Sequence, residues 1–104
     1  MLNFGAVDWS AEVYVNGTLV ASHTGGYAPF SADITAALNK KGAQSLVVRV
    51  WDPTDSVHNP VGKQRLNPSG IWYTAVSGIW QTVWMEAVSK ANHIEGITTD
   101  CNIT

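Results

Sequence analysis

Carboxylate side chains are the most versatile reactive groups in this sequence, because two of them held close together can act as acid, base or nucleophile. The acidic residues are Asp8, Glu12, Asp33, Asp52, Asp55, Glu86, Glu95 and Asp100. Glu12 and Glu86 alternate with apolar positions, as solvated strand residues do. Asp33 stands where a helical turn begins, and Asp52 and Asp55 fit an Asp-Pro-Thr-Asp turn. We therefore predict no catalytic residue, although a pair brought together by folding stays open.

Metal, redox and phosphate chemistry have little support. The three histidines, His23, His58 and His93, are too widely spaced to match a ligand motif, and Cys101 is the only cysteine. Gly25-Gly26 lacks the lysine and the strand–helix setting of a phosphate loop, and predicts a tight turn instead. The sequence therefore predicts no metal site and no cofactor.

The charge balance argues against two large classes of partner. Six basic and eight acidic residues give a formal net charge of -2, and the longest basic run is Lys40-Lys41. Such a sequence has no electrostatic footprint for nucleic acid. No apolar stretch approaches the roughly 18 residues of a membrane-spanning helix. We predict neither nucleic acid nor a membrane as partner, and the sequence shows no targeting signal that would fix localisation.

The elements that must position the side chains are nearly all strands. Asn16-Gly17 between two alternating apolar runs predicts a hairpin over about 11–23 with a type I′ turn. Residues 44–52 and 79–88 alternate as further strands, whereas 33–38 has the pattern of one helical turn. Short strands with turn signals and almost no helix predict an all-β fold, an antiparallel β-sandwich.

The long stretch 53–78 has no periodicity, and loops of this length are commonly functional or interface-forming. Trp72 and Tyr73 lie in it, where their rings could stack on a ligand such as a sugar. The strand tryptophans Trp51, Trp80 and Trp84 are expected instead to pack against the other sheet or another domain, since exposing them is costly.

The tetrapeptide Ser-Gly-Ile-Trp occurs at 69–72 and again at 77–80. An offset this short is not a structural repeat, since solenoid units have about 20 residues or more. A single strand over the whole stretch would span about 53 Å, far beyond the usual strand length of about 17–20 Å. We interpret the first copy as loop and the second as the start of a strand.

Several motifs in fixed order resemble a known family: "FGAVDW", "VNG", "GGYAPF", "DIT", "GKQ" and "SGIWQTVW". From residue 2 to about 90 the chain resembles the N-terminal sugar-binding domain of glycoside hydrolase family two, which contains β-galactosidases, β-glucuronidases and β-mannosidases. The resemblance implies a jelly-roll, galactose-binding-like β-sandwich. It divides the chain into that domain at 1–90, lacking its first strands, and a last strand or linker at 91–104.

The resemblance also implies a function. In the family the catalytic glutamates lie on a separate barrel, so this chain is expected to be a non-catalytic domain that supports the barrel and the active-site rim, and to be inactive alone. A bacterial parent would be periplasmic or extracellular. Tyr27 joins Trp72 and Tyr73 as a candidate substrate-binding residue, because an active-site loop of the family begins near it. Gly25 and the stretch "IWYTAV" lack acidic residues that some members carry there.

Two alternatives remain at this stage: an autonomous carbohydrate-binding module that uses the loop aromatics, and a generic interaction sandwich. The expected partners are a carbohydrate, the catalytic barrel and a second copy of the chain. Self-association is expected because a sandwich without its first strands exposes strand edges and apolar surface.

Overall fold

Strands make up nearly all the regular structure of this computed structural model, which describes residues 1–103. In chain order they are β1 Leu2–Phe4, β2 Val7–Asp8, β3 Ser10–Val15, β4 Thr18–Thr24, β5 Phe30–Ala32, β6 Leu46–Trp51, β7 Gln64–Arg65, β8 Tyr73–Thr74, β9 Gly78–Ile79 and β10 Val83–Met85. One 3₁₀ turn, Thr35–Ala37, follows β5. Over these residues no helix has the length and apolar character needed to cross a membrane.

Two three-stranded antiparallel sheets, β4-β3-β6 and β10-β1-β5, contribute to one core. Strand β3 alternates between half-buried and buried positions, so Ala11, Val13 and Val15 face inward. Leu2 and Phe4 of β1 meet them in the same buried cluster. Two short pairs, antiparallel β2-β9 and parallel β7-β8, complete the pairing. The expected all-β antiparallel fold is confirmed, with β7-β8 as a parallel exception.

The β3–β4 hairpin turns at Asn16 and Gly17, whose φ angles are 49° and 80°. Positive φ at both central residues defines a type I′ turn, so that prediction is confirmed. The Asn16 side chain has a further role: its amide donates to the carbonyl of Ala37 (2.8 Å) and to Gln44 Oε1 (2.7 Å), and its oxygen accepts from the Ser45 N–H (2.8 Å). One turn residue therefore fixes the segment that leads into β6.

The predicted helical turn is present in shortened form at Thr35–Ala37. Asp33 Oδ1 accepts hydrogen bonds from the Thr35 N–H (3.0 Å) and from the Thr35 hydroxyl (2.6 Å). These bonds favour the charged carboxylate and lower the pKa of Asp33. Asp33 thus stabilises the start of the turn, as the sequence indicated.

The single strand predicted over 79–88 is wrong. The structure divides it into β9, which pairs with β2, and β10, which pairs with β1. Gly5 lies between β1 and β2, beside the residues that separate β9 from β10, and its N–H donates to the Thr82 carbonyl (2.9 Å). A Cβ on Gly5 would lie 2.8 Å from the Gln81 Cβ, so only glycine permits this approach. Alternation of apolar and polar residues does not predict this division, because the segment with β1 and β2 and the segment with β9 and β10 bend at the same point.

The strand tryptophans are also more exposed than predicted. Trp51 is 58% exposed, Trp80 53% and Trp84 42%. Trp80 lies between β9 and β10, and β10 contains only three residues, so parity along one continuous strand does not determine the positions of Trp80 and Trp84. Trp51 ends β6, on the side of the strand opposite Val48 and Val50, which pack against the core. The prediction that these rings pack against the other sheet is therefore wrong, whereas packing against another domain stays a prediction.

The end of β10 is joined to the N-terminus. The Glu86 N–H donates to the Met1 carbonyl (2.9 Å), and the Met1 amino group donates to the Glu86 carbonyl (2.8 Å). Beyond this pair the structure has no strand in residues 87–103, and the apolar side chains of Ile94 and Ile97 are exposed.

The Asn16 interactions can be tested with Asn16→Gly, which keeps a residue tolerant of positive φ but removes the amide. We expect the free energy of unfolding in urea to fall by about 1–3 kcal/mol, because three hydrogen bonds made by the Asn16 side chain are removed. Asn102→Gly, the same change at an exposed position, should leave it unchanged. An unchanged midpoint for Asn16→Gly would show that turn conformation alone organises this region.

Candidate functional site

A solvent-accessible cleft lies where β2 and β9 meet the loop after β4. Its volume is ≈ 280 Å³, near the lower end of the range of about 300–1,000 Å³ for small-molecule sites. The residues that line it are Asp8, Gly26, Tyr27, Gln64, Val76, Ser77, Gly78 and Trp80. They come from both halves of the chain, so the site exists only in the folded domain.

Strand pairing brings these residues together. Asp8 ends β2 and lies opposite Gly78 of β9. Gly26 and Tyr27 follow β4, which is held at its end by the Gly25 N–H bond to the Trp9 carbonyl (3.0 Å). Because residues 79–88 do not form one strand, Trp80 does not lie on a sheet face, and its ring lines the same cleft.

Two aromatic rings form one wall of the cleft. The Trp80 indole N–H donates to the Gly26 carbonyl at 2.7 Å, which fixes the ring against the loop. The Tyr27 ring meets it edge-on, with centroids 5.9 Å apart and planes at 75°. Tyr27 is 66% exposed, so much of its surface remains available to a ligand. The two rings thus form an exposed apolar corner.

Asp8 supplies the charged group of the cleft. A Cβ on Gly26 would lie only 2.8 Å from Asp8 Oδ1, so the glycine leaves the space that the carboxylate occupies. Within residues 1–103 the carboxylate accepts no hydrogen bond from the protein. Burial, and secondly the negative charge of Asp52, raise the pKa of Asp8 above its ordinary value. An unpartnered acceptor beside two rings is suited to hydroxyl groups of a ligand.

Gln64 connects the cleft to the long loop. Its Oε1 accepts the Val76 N–H (2.7 Å), and in the β7-β8 pair it lies opposite Tyr73. The Tyr73 N–H donates to the Lys63 carbonyl at 2.7 Å. These bonds give the loop a local strand pairing that its sequence did not predict.

The predicted site residues fall in two places. Tyr27 lines the cleft, whereas Trp72 and Tyr73 do not. The Arg65 guanidinium lies over the Trp72 ring at 4.0 Å, and the Lys63 ammonium lies 5.9 Å from the Tyr73 ring centroid. Each ring therefore has a cation on one face, an arrangement that stabilises the loop itself.

Sequence reasoning missed the cleft roles of Asp8 and Trp80. Strand parity predicts that Trp80 packs against the other sheet or another domain, and the sequence alone indicates no role for Asp8 in a site. The available signal was the pair Gly25-Gly26, since adjacent glycines often mark a close approach of backbone to another group. Over residues 1–103 there is no group of three or more His, Cys, Asp or Glu side chains able to hold a metal ion.

Comparison with known proteins agrees with this architecture. The family described as "Glycosyl hydrolases family 2, sugar binding domain" matches residues 1–89. The match covers most of the chain, and the strands of both sheets and the cleft lie inside it. The chain belongs to this family.

Two relatives illustrate the relationship. The chain is 35% identical over 89 residues to a putative beta-glucuronidase of Formosa agariphila, with 86% of this chain and 10% of the relative covered. It is 31% identical over 98 residues to a beta-galactosidase of Thermoanaerobacter pseudethanolicus, with 92% and 12% covered. The chain thus spans about a tenth of the length of the curated relatives that it matches.

A solved beta-D-glucuronidase of Dictyoglomus thermophilum is also similar. It has 42% sequence identity and a TM-score of 0.40 over 45% of this chain and 8% of that one.

The electrostatic state of Asp8 gives a testable pH dependence. A folded-state pKa raised above the unfolded value means that the charged carboxylate destabilises the fold, so stability falls as pH rises through that range. Asp8→Asn should therefore be more stable to urea than the wild type at neutral pH. The difference should vanish well below pH 3.8, the ordinary pKa of an aspartate, because Asp8 is then neutral in both the folded and the unfolded state.

Asp100→Asn removes one charge from an exposed position and is the matched control, with no stability change expected at either pH. Loss of stability in Asp8→Asn at neutral pH would contradict the assignment, since it would mean that the carboxylate has a stabilising partner.

Proposed function

We propose that this chain is the non-catalytic β-sandwich domain of a glycoside hydrolase that cleaves β-glycosides, and that its cleft forms part of the active-site rim. The observation that carries the proposal is the conjunction of Asp8 with the Tyr27–Trp80 corner on a domain of the sugar-binding family. The two sheets are, on this proposal, the two layers of a jelly roll. The sugar-binding domain ends at about residue 90, and 91–104 lead toward the next domain.

The chemistry of the cleft supports a sugar as ligand. A sugar ring has apolar C–H faces that can pack on an aromatic ring and hydroxyl groups that need acceptors. The Tyr27–Trp80 corner offers the first surface, and the unpartnered Asp8 carboxylate offers the second. Acidic and aromatic groups in one small cleft would not be needed for a purely structural surface.

The small size of the cleft favours a domain that contributes one side of a larger binding site over a domain that binds a sugar by itself. At ≈ 280 Å³ and freely accessible to solvent, it encloses only part of a glycoside. Small-molecule sites normally bury 70–90% or more of their ligand, so further walls must come from another part of the protein. In the proposal these walls are supplied by the catalytic barrel, which is the partner of this domain.

Three other carboxylates of this chain already accept hydrogen bonds from the protein, which supports placing the catalytic carboxylates outside this domain. Glu12 accepts hydrogen bonds from Arg49 (3.0 Å) and from the Tyr14 hydroxyl (3.1 Å), which lower its pKa. Asp52 accepts the Thr54 N–H at 2.8 Å, and Asp33 stabilises its turn. Acid–base catalysis on a glycoside requires two carboxyl groups facing one bond. We propose that both are on the barrel.

Trp72 and Tyr73 remain proposed contacts at the outer side of the cleft. Tyr73 lies opposite Gln64, which lines the cleft, so the pair is close to its edge. One face of each ring has a cation nearby, which leaves the opposite face for a sugar. On this geometry Tyr27 contributes more than Trp72 or Tyr73 to binding. The particular sugar is set by the barrel, and the relatives' names make glucuronides and galactosides the first to test.

Autonomous binding is a second candidate, because the cleft presents the exposed Tyr27 ring together with the Asp8 carboxylate. Titration of the isolated chain with methyl β-glucuronide and methyl β-galactoside, followed by nuclear magnetic resonance, tests it. A module that binds unaided should show a dissociation constant on the order of 1 mM, weakened more by Tyr27→Ala than by Trp72→Ala. The absence of shifts with both sugars would reject autonomous binding and leave the rim proposal standing.

The rim proposal itself is tested in the full-length glycosidase that contains this domain. Asp8→Asn should lower kcat/KM by about tenfold to a hundredfold, because a hydrogen bond to a charged group contributes about 1.5–3 kcal/mol. Glu12→Gln, which alters an ion pair with the exposed Arg49 and a hydrogen bond from Tyr14, both outside the cleft, should leave kcat/KM within about twofold. Equal rates for both variants and the wild type would overturn the rim proposal.

A further inference from the structure

Two side chains that line the cleft carry polar atoms without a hydrogen-bond partner in residues 1–103. One is the Asp8 carboxylate, an acceptor, and the other is the Gln64 amide nitrogen Nε2, a donor. We propose that these two groups hold one hydroxyl group of the sugar between them, because a hydroxyl both donates and accepts. The inference rests on the proposed rim function, to which it adds a second ligand-binding residue and the kind of group that is bound.

The orientation of the Gln64 amide follows from its protein partner. The Val76 N–H is a donor, so the amide atom that it meets at 2.7 Å is the oxygen, and the nitrogen is the atom left for a ligand. Within residues 1–103 the buried side-chain polar atoms without a partner belong to Asn3, His23 and Asn59. Gln64 Nε2 is not one of them, so this half-buried residue keeps its donor accessible to solvent.

Asp8 and Gln64 are neighbours, since both also line a second, narrower void. That void has no room for a water molecule, so a group that partners the two side chains must enter from the cleft. The carboxylate and the amide nitrogen do not bond each other within the described part of the chain. A donor and an acceptor therefore stand open side by side, and a sugar hydroxyl can replace the water that serves them in the free domain.

The pair selects the chemistry of the group that lies between its members. A ligand carboxylate can accept from Gln64, but it has no proton for Asp8 and brings a second negative charge to it. An ammonium group can donate to Asp8 but cannot accept from Gln64. A hydroxyl does both, and its bond to the carboxylate is charge-assisted. The part of the glycoside that enters here is therefore a neutral face with hydroxyl groups, and the carboxylate of a glucuronide lies outside the Asp8–Gln64 pair.

The fold holds both side chains in place before a ligand arrives. Gln64 belongs to the β7-β8 pair, and its Oε1 is held by the Val76 N–H. Asp8 ends β2 and lies opposite Gly78 of β9. Since neither side chain must be ordered on binding, little of the interaction energy is lost to conformational entropy. Burial and the charge of Asp52 raise the pKa of Asp8, in keeping with a carboxylate to which no protein group donates.

Gln64→Glu in the full-length glycosidase tests the donor. One oxygen of the introduced carboxyl can keep the bond from the Val76 N–H, whereas the other replaces Nε2 and leaves two acceptors facing one hydroxyl proton. With the nitrophenyl β-glycoside that the enzyme cleaves fastest, kcat/KM should fall about tenfold to a hundredfold at neutral pH. Gln81→Glu makes the same change at an exposed residue outside the cleft and should stay within about twofold of the wild type. Circular dichroism checks that both variants fold.

Two further measurements separate hydrogen bonding from support of the loop. The charges of Asp8 and Asp52 raise the pKa of the introduced carboxyl, and its protonated form is again a donor. The kcat/KM of Gln64→Glu relative to the wild type at the same pH should therefore rise as pH falls.

The second measurement exchanges the donor and the acceptor. Asp8→Asn combined with Gln64→Glu places an amide where the carboxylate was and a carboxylate where the amide was, so the exchanged pair can again hold one hydroxyl. We expect the double variant to have a higher kcat/KM than Gln64→Glu alone, because two residues that share one ligand group have non-additive effects.

Three results would overturn the shared hydroxyl. The first is an equal kcat/KM for Gln64→Glu, Gln81→Glu and the wild type; if Asp8→Asn still lowers kcat/KM, the rim proposal stands without this inference. The second is a relative activity of Gln64→Glu that does not change with pH, which would limit Gln64 to holding the loop through Val76. The third is a double variant whose loss equals the product of the two single losses, which would show that Asp8 and Gln64 act independently.

Discussion

The close approach of Gly5 to the Gln81 side chain and the Thr82 carbonyl is the constraint on which both the fold and the cleft depend. Strands β1 and β10 pair on one side of it, and β2 and β9 on the other. Any side chain at residue 5 would meet Gln81 Cβ at 2.8 Å. Both segments bend at Gly5, and the Gly5 N–H bond to the Thr82 carbonyl continues the backbone hydrogen bonding between the β1-β10 pair and the β2-β9 pair. That turn carries Asp8 and Trp80 to the same place.

A second close contact completes the cleft. Gly26 gives up the space of a Cβ to the Asp8 carboxylate, while its carbonyl accepts the Trp80 indole N–H at 2.7 Å. One glycine therefore fixes the spacing between the charged group and the aromatic wall. Partial burial of Asp8, and secondly the charge of Asp52, raise the pKa of that carboxyl. Titratable groups with shifted pKa values cluster at functional sites.

The sequence predicts the parts of this fold that depend on local chemistry. Asn16-Gly17 specifies its turn because both residues tolerate positive φ, and alternation places Val48 and Val50 of β6 against the core. It fails where a distant contact decides the geometry. The 79–88 segment alternates as one strand, yet Gly5 and its neighbours, more than 70 positions earlier, divide it. The position of Trp80 follows from that division, so strand parity could not reveal the cleft.

The same dependence explains why the site is shallow. The Asp8, Gly26 and Trp80 contacts are made by residues that end strands or join them, so they lie at the rim of the sandwich rather than in its core. A rim site can position one group precisely, but it cannot exclude water from a whole ligand. Catalysis on a glycoside needs both, because charge development in the transition state is stabilised most in a water-excluded site. A domain built this way is suited to complete a pocket whose remaining walls stand on another domain.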